Sequence, residues 1–203
     1  ADLPGARAEA REVGALFGPS ARTHLDAAAT LAAARMALRE SERTHFASHA
    51  VLDPRDPLAG WLQLSPAPGD DGRLRAIDLM RGPLLASRLV TLSACETAAG
   101  SSAGGEGLLG LARAFQYAGV PTVAGTRWRV ADRPTQALMR AFYAALAQGA
   151  AADTALQAAQ RGLIERQPGW WARWRGEPDL SHPWFWAGFV IVGTSGEAAR
   201  ESP

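Results

Sequence analysis

The stretch Arg88–Gly107, RLVTLSACETAAGSSAGGEG, is where the fold is decided. Its first seven residues, Arg88–Ala94, form a compact apolar run enriched in Leu, Val and Thr, the pattern of a strand buried on both faces in a parallel sheet. Cys95 stands at the carboxyl end of that run. The small residues that follow have little packing capacity and read as a loop. A helix is expected from Glu106 to Tyr117, stopping at Gly119, and a further strand over Val120–Trp128. Strand, loop, helix and strand in this order make a parallel crossover unit.

The same alternation continues outward in both directions. Ala6–Phe17 reads as a helix after Pro4, and Asp26–Leu38 as a second helix with Asp26 as its N-cap. Glu42–Ala50 reads as a strand with His45, Ala47 and His49 on one face. Beyond the central unit, helices are expected over Arg133–Gln148 and Ala151–Arg166, broken at Gly149, and a last strand over Phe185–Val192. The fold class is therefore α/β, a three-layer αβα sandwich around a mostly parallel sheet.

The 203 residues, 47% apolar and 20% charged, suit one domain with one core. We expect it to span residues 1–193, with 194–203 as a flexible tail, and the chain to be part of a longer protein. A net charge of +1, with arginines spread among nearly as many acids, gives no electrostatic reason to expect nucleic acid. No apolar run approaches a membrane span, so no membrane association is expected and the cytoplasm is the default compartment. One cysteine excludes an internal disulfide and a multi-cysteine zinc cluster. The histidines and acids show no metal spacing, and the Gly-rich stretch lacks the Lys-Ser/Thr of a phosphate loop, so neither metal nor cofactor is expected. Five of the seven tryptophans fall between Trp170 and Trp186, a loop either pinned by its rings or presenting them to a partner.

Two expected strands end in reactive side chains, His49 and Cys95, and open parallel sheets gather function at the carboxyl ends of their strands. A free thiol is only a few per cent thiolate at neutral pH, and a neighbouring imidazole can take its proton. The separation of 46 residues is enough for the loop, helix and strand that bring neighbouring parallel strands together. An acyl intermediate also needs oxyanion donors, for which the backbone amides of Cys95 and of Ala50, in a turn after His49, are the candidates.

The segments THFASHA, LVTLSACETAAG, GEGLLGLARAFQYAGVPTVAGTRWRVAD, LMRAFYAALAQG and HPWFWAGFVIVG, in this order, resemble the CHAT family, bacterial relatives of caspases and separases often attached to TPR repeats. The resemblance covers nearly the whole chain. It implies a caspase-like fold, a His-Cys dyad and cleavage of a protein or peptide substrate, with a TPR-type or other sensor region in the full-length protein. The family's H-F-A-x-H-G motif puts the catalytic role on His49 rather than His45. Ala50 stands where the family usually has Gly, which would be costly at positive φ. By similarity, Ser93 faces the pocket for the residue before the cut, and the strand carrying Thr126, Arg127 and Trp128 pairs with the extended substrate. Arg127, Arg129 and Ala131 depart from the usual L-W-P-V-D-D. Asp132 is retained, as a ligand for a basic side chain or as a helix N-cap. Competing with the peptidase are a catalytically impaired interaction module of the same fold and a thiol hydrolase or transferase acting on small molecules.

Overall fold

The computed structural model describes residues 4–53, 56–96, 106–128, 130–165 and 179–194. Its helices are α1 (Pro4–Phe17), α2 (Leu31–Glu40), α3 (Ala76–Arg81), α4 (Glu106–Tyr117), α5 (Asp132–Ala147) and α6 (Ala152–Ile164). The strands are β1 (Arg43–Val51), β2 (Trp61–Gln63), β3 (Arg73–Arg75), β4 (Leu89–Glu96), β5 (Thr122–Thr126) and β6 (Phe189–Gly193). They form one sheet in the order β3-β2-β1-β4-β5-β6. The three central strands, β1, β4 and β5, are parallel; β2, β3 and β6 are antiparallel to their neighbours.

Helices cover both faces, as the alternating sequence pattern requires. On the first face α2, α3 and α4 bury Leu38, Leu79, Leu111 and Phe115 against Phe46, Leu92 and Val123 of the sheet. On the second, α1, α5 and α6 bury Val13, Leu138, Phe142 and Leu156 against Leu89, Ala124 and Phe189. Leu89–Leu92 is no more than 5% exposed at any residue, which is why it reads as an unbroken apolar run. The crossover helix α4 has the expected bounds, and both glycines expected to end helices have left-handed backbones, Gly119 at φ 101° and Gly149 at φ 89°.

Four local expectations are corrected. The second helix starts at Leu31, not Asp26: Thr30 is its N-cap, its hydroxyl accepting from the Ala33 amide at 3.2 Å. Asp26 instead opens a 3₁₀ turn at φ 52°, its carboxylate held by Arg7 at 2.7 Å and its carbonyl by the Ser65 hydroxyl at 2.5 Å. The strand expected over Val120–Trp128 is confined to Thr122–Thr126, and the last strand starts at Phe189 because Pro183–Phe185 forms a 3₁₀ turn. The hairpin β2–β3 and helix α3 carry no sequence signal, because three-residue strands are too short for a period to show. The Gly-rich segment 97–105, Arg129, the tryptophans at 170, 171 and 174, and residues 195–203 of the expected tail lie outside the described residues, while the Thr194 amide donates to the Pro121 carbonyl at 3.1 Å. Among the described residues no helix is long and apolar enough to cross a membrane.

Candidate active site

Strands β1 and β4 run parallel in a continuous register from Arg43↔Leu89 to Ala50↔Glu96. Within it His49 is the partner of Cys95. Neighbouring strands lie roughly 4.8 Å apart, so the two backbone positions are as close as adjacent parallel strands allow. Both lie at the carboxyl ends of central strands, where an α/β sheet places its ligands.

Pleating sorts the side chains of β1. Thr44, Phe46 and Ala50 are buried on the first face. His45, Ala47 and His49 alternate onto the second, the side of α1 and α5. The Nδ1 atom of His49 is shielded from solvent and has no hydrogen-bond partner among the described residues. A buried ring nitrogen without a partner is unusual in a structural histidine and is what a proton-transferring one requires before its reactant is in place.

His45 is different. Its Nδ1 lies 3.1 Å from the Tyr143 hydroxyl, which donates in turn to Thr91 Oγ1 at 2.8 Å. Its Nε2 lies 3.0 Å from Oε1 of Glu9, a residue of α1 that is only 5% exposed. This last contact is off the hydrogen-bond direction, so it is a close approach and not a directed bond. The Tyr143 ring packs edge-on against the imidazole, with centroids 5.3 Å apart. Burial, partly offset by the Thr91 hydrogen bond, holds the Tyr143 hydroxyl far above its usual pKa of 10.0. His45 is thus a buried tie between β1, α1 and α5. Sequence reading missed this network; its one local signal is Glu9 sharing the buried face of α1 with Val13, an acid on an apolar stripe.

Ala50 lies inside β1, not in a turn after it: the strand runs on to Val51, and Ala50 is paired with Leu62 on one side and Glu96 on the other. Among the described residues only Asp26 combines a side chain with positive φ, so alanine carries no conformational cost at position 50.

The remaining expected site residues flank a divergence in the sheet. β4 and β5 are paired from Leu89↔Thr122 to Leu92↔Gly125, and the ladder stops there. Ser93, partly exposed, and Thr126 are the first residues past it, two positions before Cys95. On its other side β5 is already engaged: Thr126 pairs with Phe189, and the Arg127 amide donates to the Gly188 carbonyl at 2.9 Å. Trp128 is turned toward the segment before β6. Its ring stacks on Trp184 at 5.8 Å, its Nε1 donates to the Trp184 carbonyl at 3.0 Å, and it lies so close to Gly188 that a Cβ there would meet it at 2.8 Å. Asp132 is the first residue of α5 and makes no cap; Ala131 occupies the N-cap position. The Asp132 carboxyl stands against Gly5 of α1. Among the described residues no group of His, Cys, Asp and Glu side chains could hold a metal ion.

A family model described as CHAT domain matches residues 1–194. The mouse protein tetratricopeptide repeat protein 28 is 31% identical to the chain over 110 residues, 54% of the chain and 4% of the mouse protein. The chain therefore spans a small fraction of that relative's length.

Proposed function

Because this chain belongs to the CHAT domain family, a caspase-like group, we propose that it is a cysteine endopeptidase with Cys95 as nucleophile and His49 as general base. The observation that carries this reading is the β1–β4 register, which sets His49 beside Cys95 at the ends of two central strands, together with a buried His49 nitrogen that has no partner among the described residues.

In the proposed reaction His49 accepts the thiol proton and the Cys95 thiolate attacks the carbonyl carbon of the scissile peptide bond. The carbonyl electrons move to oxygen, giving an oxyanion held by backbone amides. The Cys95 amide is the first donor we assign. The Ala50 amide stands beside it, within a residue held between two ladders. Collapse breaks the carbon–nitrogen bond, and the amine leaves with the proton stored on His49. A water, deprotonated by His49, then attacks the thioester, releasing the new carboxylate and returning the proton to the thiol.

The substrate is an extended protein or peptide segment entering where β4 and β5 part, with Ser93 and Thr126 on the two sides of the opening. This end of β5 adds the substrate backbone as a strand. Trp128 shapes the opening through its stack on Trp184, and Asp132 contributes a negative charge at the start of α5. A TPR-type region elsewhere in a longer protein would deliver the substrate or trigger, and the bacterial cytoplasm is the proposed setting.

The test is cleavage of a proteome-derived peptide library by the wild-type protein, Cys95→Ala and His49→Ala. Both substitutions are expected to lower cleavage by about 10³-fold or more, with the far-ultraviolet spectrum unchanged. Cleavage by Cys95→Ala at the wild-type rate refutes the assignment.

A further inference from the structure

The side chain of His49 belongs to a row that continues across the sheet, away from Cys95. His49 is in register with Cys95 of β4 on one side and with Gln63 of β2 on the other, and Gln63 is in register with Arg73 of β3. Residues paired across a ladder point to the same face, so Cys95, His49, Gln63 and Arg73 form one line across the strands. Leu62 and Leu74, which alternate with the hairpin's members of this line, are buried on the first face. Trp61, Gln63, Arg73 and Arg75 therefore stand on the second, the face of His49. Among the described residues none from β2 or β3 belongs to the core on that face, so the hairpin forms a polar ledge there.

Contacts within the ledge leave one group unspent. Both amide protons of Gln63 are taken, by the Leu64 carbonyl at 2.9 Å and the Asp71 carbonyl at 3.2 Å, and its Oε1 accepts from Trp61 Nε1 at 3.3 Å. The Trp61 ring is fixed by that bond, and the Arg73 guanidinium lies over it, 4.7 Å from the ring centroid. Asp71, the neighbouring acid, is committed elsewhere. Its carboxylate takes both terminal nitrogens of Arg75, one of them at 3.3 Å, and accepts from the Arg73 backbone amide at 3.1 Å. The Arg75 hydrogen bond holds the Asp71 carboxyl below the usual carboxylate range. Asp70 accepts from the Gly72 amide at 2.8 Å. The Arg73 Nε stands 3.8 Å from Asp71, beyond hydrogen-bond reach. Among the described residues the Arg73 guanidinium thus makes no hydrogen bond, while its side chain is 44% exposed. An arginine oriented by an aromatic ring, its planar fork of donors unspent, is suited to a carboxylate.

The proposed reaction gives the row a direction. His49 must deliver its proton to the leaving nitrogen, so the substrate residue after the cut lies on the β1 side of Cys95. The β4–β5 opening lies on the other side of β4. An extended segment continuing past His49 crosses Gln63 and then Arg73. Cys95 and Arg73 are separated by three strand spacings, about 14 Å at roughly 4.8 Å each. About four extended residues, at roughly 3.3 Å per residue, cover that distance.

We infer that Arg73, held on Trp61, is a specificity-determining residue that selects substrates with Asp or Glu about four residues after the cut. The inference rests on the peptidase reading of Cys95 and His49, and it assigns the half of the substrate beyond the scissile bond.

The test uses quenched fluorogenic peptides built on a sequence that the wild-type protein cleaves, with Glu, Gln or Lys placed in turn at the third, fourth and fifth residue after the cut. For wild type, kcat/KM at the best of these positions is expected to be about fivefold higher with Glu than with Gln, the upper range for an exposed ion pair. The ratio should shrink as salt is raised. Arg73→Gln should abolish the preference, and Arg73→Glu should invert it so that Lys exceeds Gln. Equal cleavage of the Glu and Gln peptides by wild type at all three positions, or a preference that persists in Arg73→Gln, overturns the role of Arg73 and leaves the peptidase reading in place. Absence of cleavage of every peptide by wild type overturns that reading, and the role of Arg73 falls with it.

Discussion

Replacing His45 with alanine should unfold this protein more readily without touching its chemistry, and replacing His49 should do the reverse. His45 and the carboxylate of Glu9 are 10% and 6% exposed and lie 3.0 Å apart. Removing one partner leaves the other buried and unsatisfied, at about 3 kcal/mol, the upper end for a buried polar group. Losing the Tyr143 contact adds about 1 kcal/mol, and partial entry of water beside Glu9 offsets a similar amount. The expected loss is therefore about 3 kcal/mol. With a urea dependence of about 3 kcal/mol per molar for a chain of this size, the midpoint should fall by about 1 M. The assay is equilibrium urea unfolding of wild type, His45→Ala, Glu9→Leu and the double variant Glu9→Leu/His45→Leu. The double variant should recover most of the loss, since an apolar pair of similar volume leaves no unsatisfied polar group. His49→Ala should shift the midpoint by less than about 0.3 M, because its Nδ1 has no partner to lose among the described residues. A His45→Ala midpoint within about 0.2 M of wild type, or a double variant as weak as the sum of the singles, would refute the buried tie.

Two further outcomes follow from particular contacts. Tyr143 is protonated in the folded state well above pH 10.0, where the unfolded chain would lose that proton, so its contribution to stability is complete below pH 10 and falls as the pH rises above it. Unfolding free energy should drop by about 1.4 kcal/mol per pH unit between pH 10 and 12, and Tyr143→Phe should remove that slope; an unchanged slope in the variant is the contrary result. Gly188→Ala places a methyl 2.8 Å from the Trp128 ring and must displace it from Trp184. The expected cost is about 1–3 kcal/mol, read as a thermal midpoint about 2–10 °C lower with altered tryptophan fluorescence, and a midpoint within about 1 °C of wild type would contradict the packing.

The parts of this protein legible in its sequence are those whose signal is local. β4 could be read because Leu89–Leu92 is buried on both faces, and α4 because its apolar stripe ends at a glycine that takes positive φ. The start of α2 was read at Asp26, four residues before its actual cap, Thr30. Contacts with Arg7 and Ser65, which no local pattern reveals, hold Asp26 in a separate turn. The candidate site divides in the same way. Cys95 at a strand end is a local feature. The preference for His49 over His45 came from a family resemblance, and the physical difference between the two rests on Glu9 and on Tyr143, 98 residues downstream of His45. Trp128 was expected to border a substrate, yet its closest partners, Trp184 and Gly188, belong to a turn whose place beside β5 only the fold supplies.

The register of β1 against β4 has a consequence for how errors are tolerated. Side chains alternate along β1, so a slip of one residue would carry Phe46 and Ala50 off the first face, drive His45 onto it and turn His49 to the opposite face. The hydrophobic core and the pairing of His49 with Cys95 are thus two readings of a single alignment. Near misses are not available to this strand. A misaligned copy loses core and site at once, and correct folding by itself delivers the two positions to each other without any further adjustment.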